Sequence, residues 1–161
     1  MARQRSFTPD EQRTWVPLAA VLELLPRQLD AQLLRDEDLT HFDYFTLSIL
    51  NAGENHSLRM TQLASMTNAT LPRLSHAITR LEKRGLVQRR TAADDARATE
   101  VAITQEGRLK AIHATAGHVA NVRDYVLDAL TAEQQEQLRA ITKAVLARLD
   151  PDGKMMATHR E

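Results

Sequence analysis

The sequence predicts a mostly α-helical fold with a small β-wing: a winged helix-turn-helix set between N- and C-terminal dimerisation helices. Two observations predict it. Between Thr61 and Thr104 the chain runs through a short helix (TQLASMT), a turn, a second helix (TLPRLSHAITRLEKRG) and two strand-like runs joined by a polar loop (LVQRRTAADDARATEVAIT). On either side lie long helical patterns with more apolar surface than one thin winged unit would hide.

The first helix, from about residue 9 to 34, repeats Val16, Ala19, Ala20, Leu22, Leu25 and Leu29 at helical spacing. A short helix follows, with Thr40 as N-cap and Phe42, Tyr44, Phe45, Leu47, Ile49 and Leu50 within it. The next has Thr61 as N-cap and Leu63, Ala64 and Met66 to bury, and about three residues separate it from the following helix. That helix has a marked start and stop. Thr70 is its N-cap, Pro72 sits in the first turn where a missing N–H costs nothing, and Gly85 follows Lys83 and Arg84.

Between these caps Leu71, Leu74, Ile78 and Leu81 form a core face, leaving Pro72, Arg73, Ser75, His76, Thr79, Arg80 and Lys83 on the other side. Arg bonds guanine bidentately, and Ser, Thr and His offer single bonds to base edges or phosphates, so this outer face suits a major groove. A solvated helix face would look the same in isolation; the helix placed just before it favours DNA. After Gly85 the period changes. Leu86, Val87, Val101 and Ile103, with Thr91 and Thr99 between, predict two antiparallel strands joined by a loop near residues 92 to 98 that carries Asp94, Asp95 and Arg97. An Arg at such a tip is drawn to the negative potential of the minor groove, and a nearby carboxylate can hold it in one geometry. From Gln105 to Leu149 a long helical pattern is broken only near Thr131, itself an N-cap. The segment 150–161 reads as a flexible tail.

The strings LRMTQLA, RLSHAITRLEKRGLVQR and DDARATEVAIT, followed by HVANVRDYVLDALTAEQ, resemble the MarR family of multiple-antibiotic-resistance-type transcriptional regulators. The resemblance covers about residues 15 to 149 and marks residues 1–161 as a single domain of that type. Residues 40–104 would be the DNA-binding lobe, and residues 9–35 and 105–149 the helices that intertwine into a homodimer. Two departures stand out. Ala96 precedes Arg97 where the family often has another charge, which should weaken phosphate contact. Gly117 precedes His118 where many relatives carry proline, so a bend there is less strongly imposed.

The resemblance implies a homodimeric, ligand-responsive regulator, usually a repressor, on a pseudo-palindromic operator whose half-sites lie about one turn, roughly 34 to 36 Å, apart. Arg73, Ser75, His76 and Thr79 would read bases, with Thr70 and Pro72 at the same helix end. Arg80, Lys83, Arg89 and Arg90 would hold phosphates, and Arg97, steadied by Asp95, would enter the minor groove. The family's small aromatic or phenolic effectors direct attention to Trp15, His41, Tyr44, Phe45 and His113 as pocket residues. The alternative is a winged-helix architectural or protein-docking module without an effector.

Charge agrees once its distribution is considered. The net is zero, yet residues 73–97 hold seven basic against three acidic side chains and residues 10–54 nine acidic against three basic, giving plus four and minus six. A basic patch on an acidic body orients the molecule on a duplex. With 161 residues and 43% hydrophobic content the chain can form one domain with a modest core. No run approaches the roughly 20 apolar residues of a membrane span, and MARQRSFTPDEQRTW lacks a signal-peptide core, so the cytoplasm is expected. There is no cysteine, which excludes disulfides and thiol-based sensing. His113 and His118 are five apart rather than the three or four that put two ligands on one helical face, so no metal is expected. His41 and Asp43, two apart on a helix, point in different directions. With no nucleophile motif, phosphate loop or dinucleotide fingerprint, neither catalysis nor a cofactor is expected.

Overall fold

The computed structural model describes residues 6–92, 95–156 and 158. In chain order it contains α1 (Pro9–Glu37), α2 (His41–Ala52), β1 (Ser57–Arg59), α3 (Met60–Met66), α4 (Leu71–Lys83), β2 (Val87–Ala92), β3 (Asp95–Ile103), α5 (Gln105–Val122), a π-helical turn (Arg123–Leu127) and α6 (Ala132–Leu149). This is the expected winged helix-turn-helix between flanking helices.

Local chemistry sets most boundaries. Thr8 and Glu11 form a reciprocal capping box at the start of α1, Thr40 and Asp43 do so for α2, and Thr131 and Gln134 for α6. Thr70 accepts from the Arg73 N–H and opens α4. Gly85, at φ 71°, ends it; the Leu86 N–H reaches back to Leu81 O at 3.0 Å, as a left-handed C-cap requires. The turn between α3 and α4 uses Asn68 at φ 50°, a conformation asparagine tolerates better than most residues.

The three strands pair antiparallel in the order β1-β3-β2. Arg89 lies opposite Val101 and Arg90 opposite Glu100, and an irregularity between Thr91 and Ala92 shifts the register near the tip. Leu47, Leu50, Leu63, Leu74, Ile78, Leu81, Val87 and Val101 make a core shared by the sheet and α2 to α4, with Leu33, Ala111 and Ala114 extending it to α1 and α5. Those two helices are joined at their edges by Lys110 and Glu37, 2.6 Å apart, and by close packing at Gly117, where a Cβ would lie 2.7 Å from Gln32 Nε2.

Several expectations are corrected. The N-cap of α3 is Arg59, not Thr61, because β1 delivers the chain into the helix two residues earlier. That strand was not foreseen. Leu71, the first residue of α4, is exposed in a groove it lines with Leu146 and Leu149, and Ala77 is buried in the core instead. Strand pairing reaches Ala92 and resumes at Asp95, so Asp95 and Arg97 belong to β3 rather than to a loop; Asp94 lies outside the described residues. The helix runs through Gly117 unbroken, because the missing side chain serves the approach of Gln32; the change of helical form comes later, at Arg123–Leu127. In the described part of the C-terminal segment, expected as a flexible tail, the Asp150 carboxylate accepts from the Lys154 and Met155 N–H groups and closes a turn.

Candidate nucleic-acid interface

The second helix of the helix-turn-helix, α4, is held from both sides. Asp43 is buried at the N-terminus of α2, where one carboxylate oxygen accepts from the Thr40 N–H (3.3 Å) and the other from Arg80 Nη2 (2.9 Å). On the other side Arg89, from β2, inserts a half-buried guanidinium. Its Nη1 donates to Glu82 Oε2 at 2.5 Å, and its Nη2 to Ser75 O and Thr79 Oγ1, both at 3.0 Å. The Arg89 backbone N–H also donates to Glu82 at 2.8 Å, and that bond, with the guanidinium behind it, holds the Glu82 carboxyl below its ordinary range.

These contacts sort the expected site residues. Pro72, Arg73, His76 and Lys83 stand exposed on the outer face of α4, with Thr70 exposed at its cap. Arg90 and Arg97 are exposed on the wing. Arg73 stacks over the Phe42 ring, 4.4 Å from its centroid, which orients it from behind. Ser75 and Thr79 are half-buried; the Thr79 hydroxyl donates to Ser75 O and accepts from Arg89. Arg80 and Arg89 are thus engaged within the chain, and what each does first is fix the angle of α4. Asp95 does touch Arg97, but through the backbone: its carboxylate accepts the Arg97 N–H at 2.9 Å. The partners Asp43 and Glu82 were missed in the sequence. Asp43 lies 37 residues from Arg80, and no local spacing signals such a pair.

A cleft of about 740 Å³ opens behind the Arg73 and Phe42 stack, between α1, α2, the α3–α4 turn and α5. Arg27, Asp30, His41, Phe42, Phe45, Asn68, Arg73 and His118 line it, along with Met155 from the C-terminal turn. The His41 and His118 rings lie 5.6 Å apart, and Tyr44 packs on His118 at 4.7 Å while its hydroxyl meets that of Thr115. His41 is pushed below its ordinary pKa by burial, against the pull of Asp30; His118 is lowered by burial and then by His41. Burial therefore disfavours the charged form of both rings.

Of the expected pocket residues, His41 and Phe45 line this cleft and Tyr44 supports it. Trp15 does not, because it sits more than two helical turns before Arg27 on α1, beside Phe7 and Leu18. His113 faces a separate small pocket with Arg84, Leu86 and Lys110, since five residues along α5 turn it away from His118. Arg27, Asn68 and His118 were not expected here, as they converge from three elements.

Comparison with known proteins gives consistent matches. A family model described as MarR family matches residues 39–99. The crystal structure of Sco3205, a MarR family transcriptional regulator from Streptomyces coelicolor in complex with DNA, superposes with a TM-score of 0.88 at 38% identity, over 94% of this chain and 95% of that one. AbsC, a MarR family transcriptional regulator from the same organism, gives 0.86 at 33% identity, over 92% and 100%. The transcriptional repressor MprA of Escherichia coli is 25% identical over 119 residues, 74% of this chain and 67% of that protein.

Proposed function

The chain belongs to the MarR family of DNA-binding transcriptional regulators, and from that premise we propose that it is a homodimeric repressor of a pseudo-palindromic operator, released by a small aromatic or phenolic effector. The observation that carries the reading is the outer surface formed by α4 and the wing. Arg73, His76 and Lys83 present donors along the exposed face of α4, and Arg90 and Arg97 add two exposed cations beside it. On this reading Arg73 and His76 read bases from the exposed face of α4, with the half-buried Ser75 and Thr79 beside them. Likewise Lys83 and Arg90 would meet phosphates, and Arg97 would enter the minor groove. Arg80 and Arg89 contribute by holding the helix.

Dimerisation is supported by surface that the single chain leaves uncovered. Among the described residues α6 buries none, and Leu138, Ile141, Val145 and Leu149 are exposed on it. Val16, Leu18, Val21, Leu22 and Leu24 are exposed on α1. An apolar surface that extensive calls for a partner, and a second copy supplies the same two helices in a self-complementary pairing. The repressor sign follows MprA, and an effector has a place in the cleft. Aromatic walls and two guanidinium groups, Arg27 and Arg73, suit a planar anion. A ligand that binds best when the two α4 helices are mis-spaced would shift the dimer away from its DNA-binding form.

Fluorescence anisotropy on the intergenic DNA beside the gene, against a shuffled duplex of equal length at one stated salt concentration, tests the reading. A preference of about a thousandfold or more is expected. Equal binding would point instead to an architectural role, and no binding to a protein partner.

A further inference from the structure

The end of α6 turns back onto the helix-turn-helix. Asp150 closes α6 by donating its N–H to Leu146 O, and its carboxylate then accepts the N–H groups of Lys154 (3.0 Å) and Met155 (2.8 Å) and the Thr158 hydroxyl. Gly153, at φ 63°, takes the left-handed step inside this turn. The chain is thereby aimed at α3, where the Met156 N–H donates to Met66 O at 3.0 Å. Met66 is the last residue of α3, so its carbonyl is one of those a helix C-terminus leaves without an intrahelical partner. Met155 lies between two hollows. On one side it meets the cleft lined by His41, Asn68 and Arg73, and on the other a groove lined by Leu71, Leu146 and Leu149.

We propose that residues 150–156 are a strap that fixes the reading head to the dimerisation helices and so sets the spacing of the two α4 helices. The proposal rests on α6 belonging to the dimer. Since α6 buries no residue within its own chain, the strap is a direct tie from its far end to the turn that positions α4. A head tied in place loses less freedom when it meets DNA than one that swings. Three donors converging on one carboxylate make Asp150 the residue on which the turn depends.

Hydrogen exchange and operator binding, measured on the full-length protein and on Asp150→Ala, test this. In the unsubstituted protein the Met156 amide should exchange at least about tenfold more slowly than an unstructured amide. In Asp150→Ala that protection should disappear, and operator affinity should fall about tenfold while dimer and melting temperature stay put. Met155→Ala, which leaves the Asp150 cap intact, should weaken binding in the same direction by less. A Met156 amide that exchanges freely in the unsubstituted protein would overturn the strap. So would an Asp150→Ala protein that loses protection yet keeps full affinity. The exchange measurement needs no DNA: an unsubstituted protein without operator preference would count against the operator reading, and the strap would then stand or fall on exchange alone.

Discussion

Arg89 and Arg90 are neighbours on β2 with opposite duties, and substitution should separate them. The Arg89 guanidinium is committed to Glu82, Ser75 and Thr79, so Arg89→Gln should destabilise the lobe by about 1 to 2 kcal/mol. It should leave the slope of log affinity against log salt unchanged. Arg90 is exposed, and the Gln88 amide lies against its guanidinium. Arg90→Gln should leave the melting temperature alone and make the salt slope shallower by about 1, the signature of one lost phosphate contact. Denaturant melts with anisotropy titrations at several salt concentrations check both. Arg73→Ala should cost about 1 to 3 kcal/mol on the preferred operator and relax its specificity, and equal losses on random DNA would make Arg73 a phosphate contact instead.

At the level of elements, the junction between the wing and α5 is the least forgiving. A Cβ on Gly107 would lie 2.0 Å from the Leu86 carbonyl oxygen and 2.8 Å from the Ile103 side chain, and backbone cannot step aside as a flexible side chain can. Gly107→Ala should therefore destabilise by about 3 kcal/mol in chemical denaturation, whereas Gly117→Ala, whose one close approach is to the end of the flexible Gln32 side chain, should cost less. The sequence made α4 readable because its signals are local: a threonine before it, a proline inside its first turn, a glycine after it, and apolar residues on one face. It did not reveal β1, since three residues, Ser57–Arg59, become a strand only by pairing with Ala102 to Glu100 far along the chain. The cleft was half legible for the same reason. His41 and Phe45 belong to an aromatic cluster visible in α2, but Arg27, Asn68 and His118 join them only after α1, α5 and the α3–α4 turn have packed together.

For the whole molecule, α2 and α5 meet across His41 and His118, and this contact should make stability depend on pH. Both histidines sit below their unfolded value of 6.5, so the folded protein binds fewer protons than the unfolded chain once the pH falls beneath that value. Stability should be level above pH 6.5 and decline as pH falls from there toward the folded-state values. Asp36 and Glu82, whose carboxyls are lowered, add their own loss only in the carboxylate range further down. Denaturant melts between about pH 7 and 5 should show the decline, and His118→Gln should flatten it. The proposed dimer is tested by Ile141→Glu, which sets a charge in the uncovered face of α6: sedimentation should find a monomer, and affinity for the proposed operator should collapse because two half-sites could no longer be bound together. The double clamp on α4 has an evolutionary consequence. Asp43 and Glu82 anchor the helix through Arg80 and Arg89, while Pro72, His76 and Lys83 face outward on the same helix. On the proposed reading, mutation at a base-facing position such as His76 retunes which promoter is recognised without eroding the fold, so duplicated copies of such a gene would be free to diverge in the circuits they control.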